Sequence, residues 1–413
     1  MPPPAAIPAI PLAPPAADPA GRPDVVVITN VPTPYRLALH RRIDNELREA
    51  RLLTIYTHDV ADQGWALDAG DRSRVFFFGQ GDSVGASSGL RAVPREWRKG
   101  GRIIGFLKRV RPGAIMLCGY NDPGRLRILN WAHRSRVPVF MVADSNLRGE
   151  NLRGLKGLIK PHFVRRVVSM CDGVMPCGSY GGEYFLKYGA RPDRIFHVPY
   201  EPDYGLIENL PQGTIDSTLA QFGLDPARKR IVFCSRLIPI KRPLLALDAF
   251  IAIASERPEW DLVMIGDGPL LADVRARIPA ALAPRILAAG FIGEQAKISA
   301  IYRASHILLH PCVYEPWGVV INEAACAGMA IVCGDAVGAA GELVRQGVNG
   351  HLVPPDDIAA LTRALLDATT PATLEKYRAA SPAVLADWRR RGDPVKGIRA
   401  ALRAVGVGGP HPT

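Results

Sequence analysis

Short runs of consecutive apolar residues recur along this chain, and stretches with helical spacing separate them. In the first half DVVVITN (24–30), RLLTIYT (51–57), RVFFF (74–78), GAIMLCG (113–119) and VPVFMVA (137–143) read as strands, and DGVMPCG (172–178) and RIFHVPY (194–200) close the series. A helix is predicted from about Tyr35 to Ala50. Strands that are apolar throughout, rather than at alternate positions, are buried on both faces, so these runs predict a parallel sheet covered by helices. RIVFCSR (230–236) restarts the pattern, and DLVMIGDGP, RILAAGFIG, HILLHPC, AIVCGD and NGHLVPP supply a second set. The fold class expected is α/β, two doubly wound Rossmann-like domains facing a central cleft, with ligands at the strand C-terminal ends.

Punctuation divides the chain further. Residues 1–22 are rich in Pro and Ala and read as a disordered tail, because the prolines interrupt any apolar core that a secretory signal would need. An N-terminal domain over 23–205 follows. Segment 206–229 lacks a strand and is rich in turn residues, which predicts an interdomain linker. A second domain covers 230–381, a helix over 382–405 with Trp388 among arginines is expected to pack back on the first domain, and 406–413 is a tail.

Composition excludes several classes. Apolar content of 48% and charged content of 22% suit a globular protein, and no apolar run approaches the roughly 18 residues of a membrane span. The seven cysteines show no CxxC pair and no His/Cys ligand spacing, which predicts a reduced, cytoplasmic setting with no structural metal.

The net charge of +12 changes the picture more. Residues 1–200 hold 29 Lys and Arg against 17 Asp and Glu, whereas residues 201–413 hold 22 of each. The basic residues cluster at 91–111 and 152–166, interleaved with Trp, Ile, Leu and Phe. Either segment suits a basic amphipathic helix on an anionic membrane surface, at the inner face of the cytoplasmic membrane. Either also suits a solvated helix whose apolar face packs on the sheet, and the sequence leaves both open. Nucleic acid is not expected, since no binding motif for it appears.

The candidate chemistry centres on HPCVYEPWGVVINEAACAG (310–328). A buried strand leads into a loop with Glu315 and Gly318. A helix closed by Gly328 then carries Glu323, which is expected about two turns in, beyond the reach of the helix dipole. A helix N-terminus that can meet an anion, with two carboxylates beside it, suits a ligand bearing phosphates and many hydroxyls: a nucleotide sugar. SRLIPIKRP (235–243) adds Arg236 and Lys241 at a strand end, cations able to neutralise a diphosphate. IGDGP (265–269) is a Gly-rich turn in which Gly266 would let the backbone approach a ligand, and GFIGE (290–294) is another turn after a strand. A nicotinamide dehydrogenase is disfavoured, because the first strand is followed by NVPTPYR rather than GxGxxG.

Taken in order, these stretches and GAAGELVRQGVNGHLVPPDD closely resemble the C-terminal half of family-4 retaining glycosyltransferases of the GT-B fold, strongly over 230–368. The resemblance extends more weakly to the first half through NVPTPYRLALHRRI, VADSN and HVPYEPD. It implies that Arg236 and Lys241 hold the donor diphosphate and that Glu323 holds the ribose hydroxyls. Glu315 would contact the transferred sugar, Gly318, Val319 and Val320 would offer backbone N–H groups, and Ile292 would lie by the base. It further implies a UDP-, GDP- or ADP-sugar donor, no other cofactor, no metal, and a saccharide or lipid-linked saccharide acceptor in bacterial polysaccharide assembly. Many relatives have a Gly-Gly pair where this chain has NVPTPY, and a His where it has Asp144-Ser145-Asn146. The acceptor-side candidates are therefore Asp144, Tyr120, Asn121 and Asp122. An epimerase or hydrolase on the same fold, or a noncatalytic nucleotide-sugar-binding relative, stays open.

Overall fold

The structure is a computed structural model that describes residues 15–58, 74–79, 81, 89–150 and 154–408. It divides into two compact units, one formed by 1–177, 181–200 and 392–413, the other by 178–180 and 201–391.

Among the described residues six strands build the first unit: β1 (Asp24–Thr29), β2 (Arg51–Tyr56), β3 (Val75–Phe77), β4 (Ala114–Cys118), β5 (Val139–Ala143) and β6 (Gly173–Pro176). They pair in parallel in the order β3-β2-β1-β4-β5-β6. The helices between them are α1 (Pro34–Glu46), α2 (Val93–Val110), α3 (Pro123–Arg134) and α4 (Leu155–Ser169), and α5 (Ser179–Lys187) follows β6. Because successive side chains alternate across a strand, Val26, Ile28, Ile115 and Leu117 pack on one face with Ile103, Phe106 and Leu107 of α2. Val25, Val27 and Met116 pack on the other, with Leu39 and Ile43 of α1.

RIFHVPY forms no strand. It makes a single bridge, Ile195 to Val174, and its amides at Phe196 and Val198 donate to Val174 O and Pro176 O. Pro176 has no N–H to return, so the ladder stops there. The tail reading also needs correction in part. Residues 1–14 lie outside the described residues, but Arg22 pairs with Asp18 at 2.7 Å and Arg51 donates to Ala16 O.

The second unit opens with α6 (Tyr204–Glu208) and α7 (Gln212–Gln221), in the segment expected as a linker. Both helices pack on α10 (Gln295–Arg303), with Ile207, Ile215 and Leu219 buried, so this segment is part of the unit. Strands β7 (Lys229–Cys234), β8 (Trp260–Ile265), β9 (Ile286–Gly290), β10 (Ile307–His310), β11 (Ala330–Gly334) and β12 (Gly350–Val353) pair in parallel in the order β12-β11-β10-β7-β8-β9. The remaining helices are α8 (Pro243–Ile253), α9 (Leu271–Arg277), α11 (Val319–Cys326), α12 (Ala340–Leu343), α13 (Ile358–Ala368), α14 (Pro371–Arg391) and α15 (Pro394–Arg403). The helix predicted over 382–405 is thus two helices. Pro382 sits inside α14, and the chain breaks before Asp393, which caps α15 by accepting from Lys396 N at 2.8 Å. Val395, Ile398 and Leu402 of α15 complete the α1 face of the first sheet. Among the described residues no helix is long and apolar enough to cross a membrane.

Candidate active site

The order of the second sheet reverses between β7 and β10, its two central strands. Connections leave such a pair in opposite directions, which opens a crevice at the strand C-terminal ends. Lys241 stands in the turn after β7, and Glu315 in the loop after β10. The structure joins them in an ion pair, Lys241 Nζ to Glu315 Oε2, with Lys241 only 6% exposed and Glu315 partly open to solvent. The backbone holds the two loops together, as Val313 N donates to Ile240 O at 3.0 Å. Arg236 lies on the same segment as Lys241. Its side chain is exposed, and its guanidinium has no partner among the described residues.

His310, fully buried, places Nε2 3.8 Å from the same Glu315 oxygen. Burial pushes its imidazole down to about 4, Glu315 pulls the other way, and Lys241 pushes further down. The ring is therefore neutral, and neither nitrogen has a hydrogen-bond partner among the described residues. The Cys312 thiol donates to Tyr314 O at 2.9 Å, and burial raises it to about 11 although Lys241 opposes the shift. His310, Cys312 and Glu315 bring donor atoms within 4.8 Å of one another, a set of metal-ligand types. The thiol is held protonated, and the Lys241 ammonium supplies the positive charge against Glu315.

Beyond Glu315 the loop is pinned by Gly338 N to Glu315 O at 3.0 Å and Ala339 N to Trp317 O at 2.8 Å. Gly318 then turns the chain into α11 at φ +94°, a left-handed conformation that favours glycine. Among the described residues no side chain caps α11, so the first-turn amides of Val319 and Val320 suit a ligand. The helix starts later than expected, and Glu323 is its fifth residue, one turn in rather than two. Burial pushes the Glu323 carboxyl up to about 7, while the neighbouring Tyr302 hydroxyl and Gln295 amide pull it back. Gln295 Nε2 donates to Glu323 Oε1 at 2.9 Å.

The Gly-rich turn also packs closely on the protein's own backbone. A Cβ on Gly266 would sit 1.9 Å from Ser235 O, at φ +139°. The close approach is therefore to the protein's own chain after β7, where Leu237 N also donates to Asp267 O at 2.9 Å. Ile292 is buried in the turn after β9.

In the first unit the strand order reverses between β1 and β4. Tyr120 and Asn121 follow β4, and Asp144 follows β5. Tyr120 shares a hydrogen bond with Tyr184 at 2.9 Å, Asn121 is exposed, and Asp144 lies in the field of Arg36. Asp122 is occupied structurally: it caps α3 at Arg125 N and pairs with the buried Arg125 guanidinium, which also reaches Asn30 and Thr57.

Sequence reasoning did not single out His310, Gln295, Tyr302 or Arg125. His310 stood beside Pro311 in the stretch already chosen, and a polar residue ending an apolar strand was the available signal. Gln295 and Tyr302 become neighbours of Glu323 only through packing in the second unit, and Arg125 reaches Asn30 and Thr57 only through packing in the first.

Residues 228–370 match the family model of glycosyl transferases group 1. The matched segment contains Arg236, Lys241, Glu315 and Glu323. The chain is 36% identical over 171 residues to the lipopolysaccharide core biosynthesis mannosyltransferase LpsB of Rhizobium meliloti, a match covering 39% of this chain and 48% of that protein. It spans about half the length of the curated relatives it matches. Among solved structures, a glycosyltransferase from Rickettsia africae superposes with a TM-score of 0.70 at 12% identity, covering 93% of this chain and 99% of that one. Anabaena HepE in complex with UDP and glucose superposes with a TM-score of 0.66 at 17% identity, covering 92% and 98%. At these identities the likeness establishes the fold, the two-domain α/β architecture of GT-B glycosyltransferases.

Proposed function

We propose that the chain is a metal-independent, retaining family-4 glycosyltransferase that moves a sugar from a nucleoside-diphosphate sugar to a hydroxyl of a saccharide or lipid-linked saccharide in bacterial glycan assembly. The observation that carries this reading is the Lys241–Glu315 pair at the reversal point of the second sheet, beside an uncapped helix whose next turn bears Glu323. The uncapped amides and Arg236 suit a diphosphate, and Lys241 adds positive charge as the leaving group departs. Glu323 accepts ribose hydroxyls, and Glu315 accepts a hydroxyl of the sugar. Lys241 supplies the charge that a metal would otherwise bring.

In the transfer step the acceptor oxygen bonds to the anomeric carbon on the face that the diphosphate leaves. The bond from carbon to phosphate oxygen breaks, and the acceptor proton passes to a diphosphate oxygen. The N-terminal unit is assigned the acceptor, with Asp144, Tyr120 and Asn121 as candidate contacts, and the inner membrane face is the proposed setting. The test is turnover with UDP-, GDP- and ADP-sugars and a panel of saccharide acceptors, with the new anomeric proton read by NMR. A product of retained configuration supports the reading. An inverted product, or a free or epimerised sugar formed without acceptor, overturns it.

A further inference from the structure

The two basic amphipathic segments of the first unit part company in the structure. The apolar residues of α2 are spent on the core, since Ile103, Phe106 and Leu107 are buried, and its exposed Trp97 carries the Arg127 guanidinium 4.8 Å over its ring. In α4 only the second half behaves that way, through Val164, Val167 and Val168. The first half turns Leu158, Ile159 and Phe163 outward, 70%, 58% and 39% exposed. The sequence of α4 contains Lys156, Lys160, Arg165 and Arg166 and no acidic residue. Glu150 pairs with Lys160 at 3.0 Å and with Lys187 at 2.6 Å, which leaves that cluster with one net positive charge.

The apolar face is also continuous with an acceptor-side candidate. The Phe163 ring lies 6.1 Å from that of Tyr120, Tyr120 is bonded to Tyr184, and Lys160 Nζ lies 5.5 Å over the Tyr184 ring. Helix α4 leaves the C-terminal end of β5, so its first half stands at the sheet edge where Asp144 and Tyr120 stand.

We propose that the N-terminal half of α4 docks on an anionic membrane surface, inserting Leu158, Ile159 and Phe163 among the lipids and bringing a lipid-linked acceptor to the edge marked by Tyr120. Exposed apolar side chains on a helix that also exposes Arg165 and Arg166, beside a Glu150–Lys160–Lys187 cluster that keeps a net positive charge, match an anionic interface in both shape and charge. The proposal rests on the glycosyltransferase reading for the acceptor alone, and the docking itself does not depend on it.

The full chain is cosedimented with phosphatidylglycerol-containing and with pure phosphatidylcholine vesicles, alongside the double variant Leu158→Asn/Ile159→Asn. The wild type is expected to bind the anionic vesicles, less so as salt rises. The variant is expected to bind them on the order of tenfold more weakly, with unchanged melting and unchanged nucleotide binding, because both side chains are exposed. Equal partition of the two proteins, or no wild-type binding at low salt, overturns the proposal. So does a dimer in sedimentation velocity that the variant abolishes without any vesicle binding. Loss of vesicle binding in a protein that transfers no sugar would sustain the docking while refuting the proposed function.

Discussion

Replacing Lys241 and replacing Arg236 by alanine have different expected consequences, although both cations are assigned to the donor diphosphate. Lys241 is almost fully buried against Glu315, so its removal leaves a carboxylate in a pocket it shares with the neutral His310 and the protonated Cys312. Breaking a buried pair from one side costs about 3–5 kcal/mol. Glu315 keeps some access to water, which brings the expected loss to about 2–3 kcal/mol. At about 2–4 °C per kcal/mol for a unit of this size, Lys241→Ala should melt roughly 4–12 °C below the wild type. Arg236 is exposed, and Arg236→Ala should melt within about 1 °C of it. Transfer should fall in both variants, by about 10²–10³-fold for Lys241→Ala, as for loss of one charge-stabilising donor. The double variant Lys241→Ala/Glu315→Ala removes both charges and should recover much of the melting temperature while transfer stays low. The assays are differential scanning calorimetry and nucleoside-diphosphate release with donor and acceptor present. The reasoning is refuted if Lys241→Ala melts like the wild type, if Arg236→Ala is destabilised as much, or if transfer returns in the double variant.

Three further outcomes are expected. The Glu323 carboxyl is raised to about 7 in the folded chain, so the folded state keeps a proton that the unfolded state gives up near its usual value. Stability is then greatest below that usual value and declines as pH rises toward 7, by on the order of 3 kcal/mol, and Glu323→Gln should flatten the decline in melts taken across this window. Ribose hydroxyls donate to the ionised form, so nucleotide affinity should rise from pH 6 to pH 8 in the wild type. Calorimetric titration of Glu323→Gln showing the same rise would contradict the assignment. Gly266→Ala should cost at least about 2 kcal/mol, since its Cβ would meet Ser235 O at 1.9 Å in a left-handed conformation, and an unchanged melting curve would show that the turn has another arrangement.

Most of the fold was legible because the sheet strands are apolar on both faces. DVVVITN became β1 and HILLHPC became β10 with their boundaries nearly intact. RIFHVPY failed for a reason that lies outside it, the missing amide of Pro176 on the neighbouring strand. The segment 206–229 looked like a linker because α6 and α7 are short and lie among turn residues, and only their packing on α10 makes them part of the unit. At the site, the order of motifs pointed to Lys241 and Glu315. That they meet follows from β10 lying beside β7, a long-range pairing that local pattern does not encode. Gln295 was hidden for the same kind of reason, since it reaches Glu323 from another helix, whereas His310 stood in the chosen stretch as a polar residue ending an apolar strand. Gly266 was visible, but its close approach to the protein's own Ser235 O was not, because that contact comes from the segment after β7.

The central claim is that the second unit holds a nucleoside-diphosphate sugar between Arg236, Lys241, Glu315, Glu323 and the start of α11. Isothermal titration of the full chain with UDP, GDP and ADP tests it most directly. The account predicts that one of the three binds one-to-one, and that Arg236→Ala weakens that binding by about tenfold or more without changing the melting temperature. Binding of none of the three to the wild type, or equal binding to Arg236→Ala and to Glu323→Gln, would contradict it.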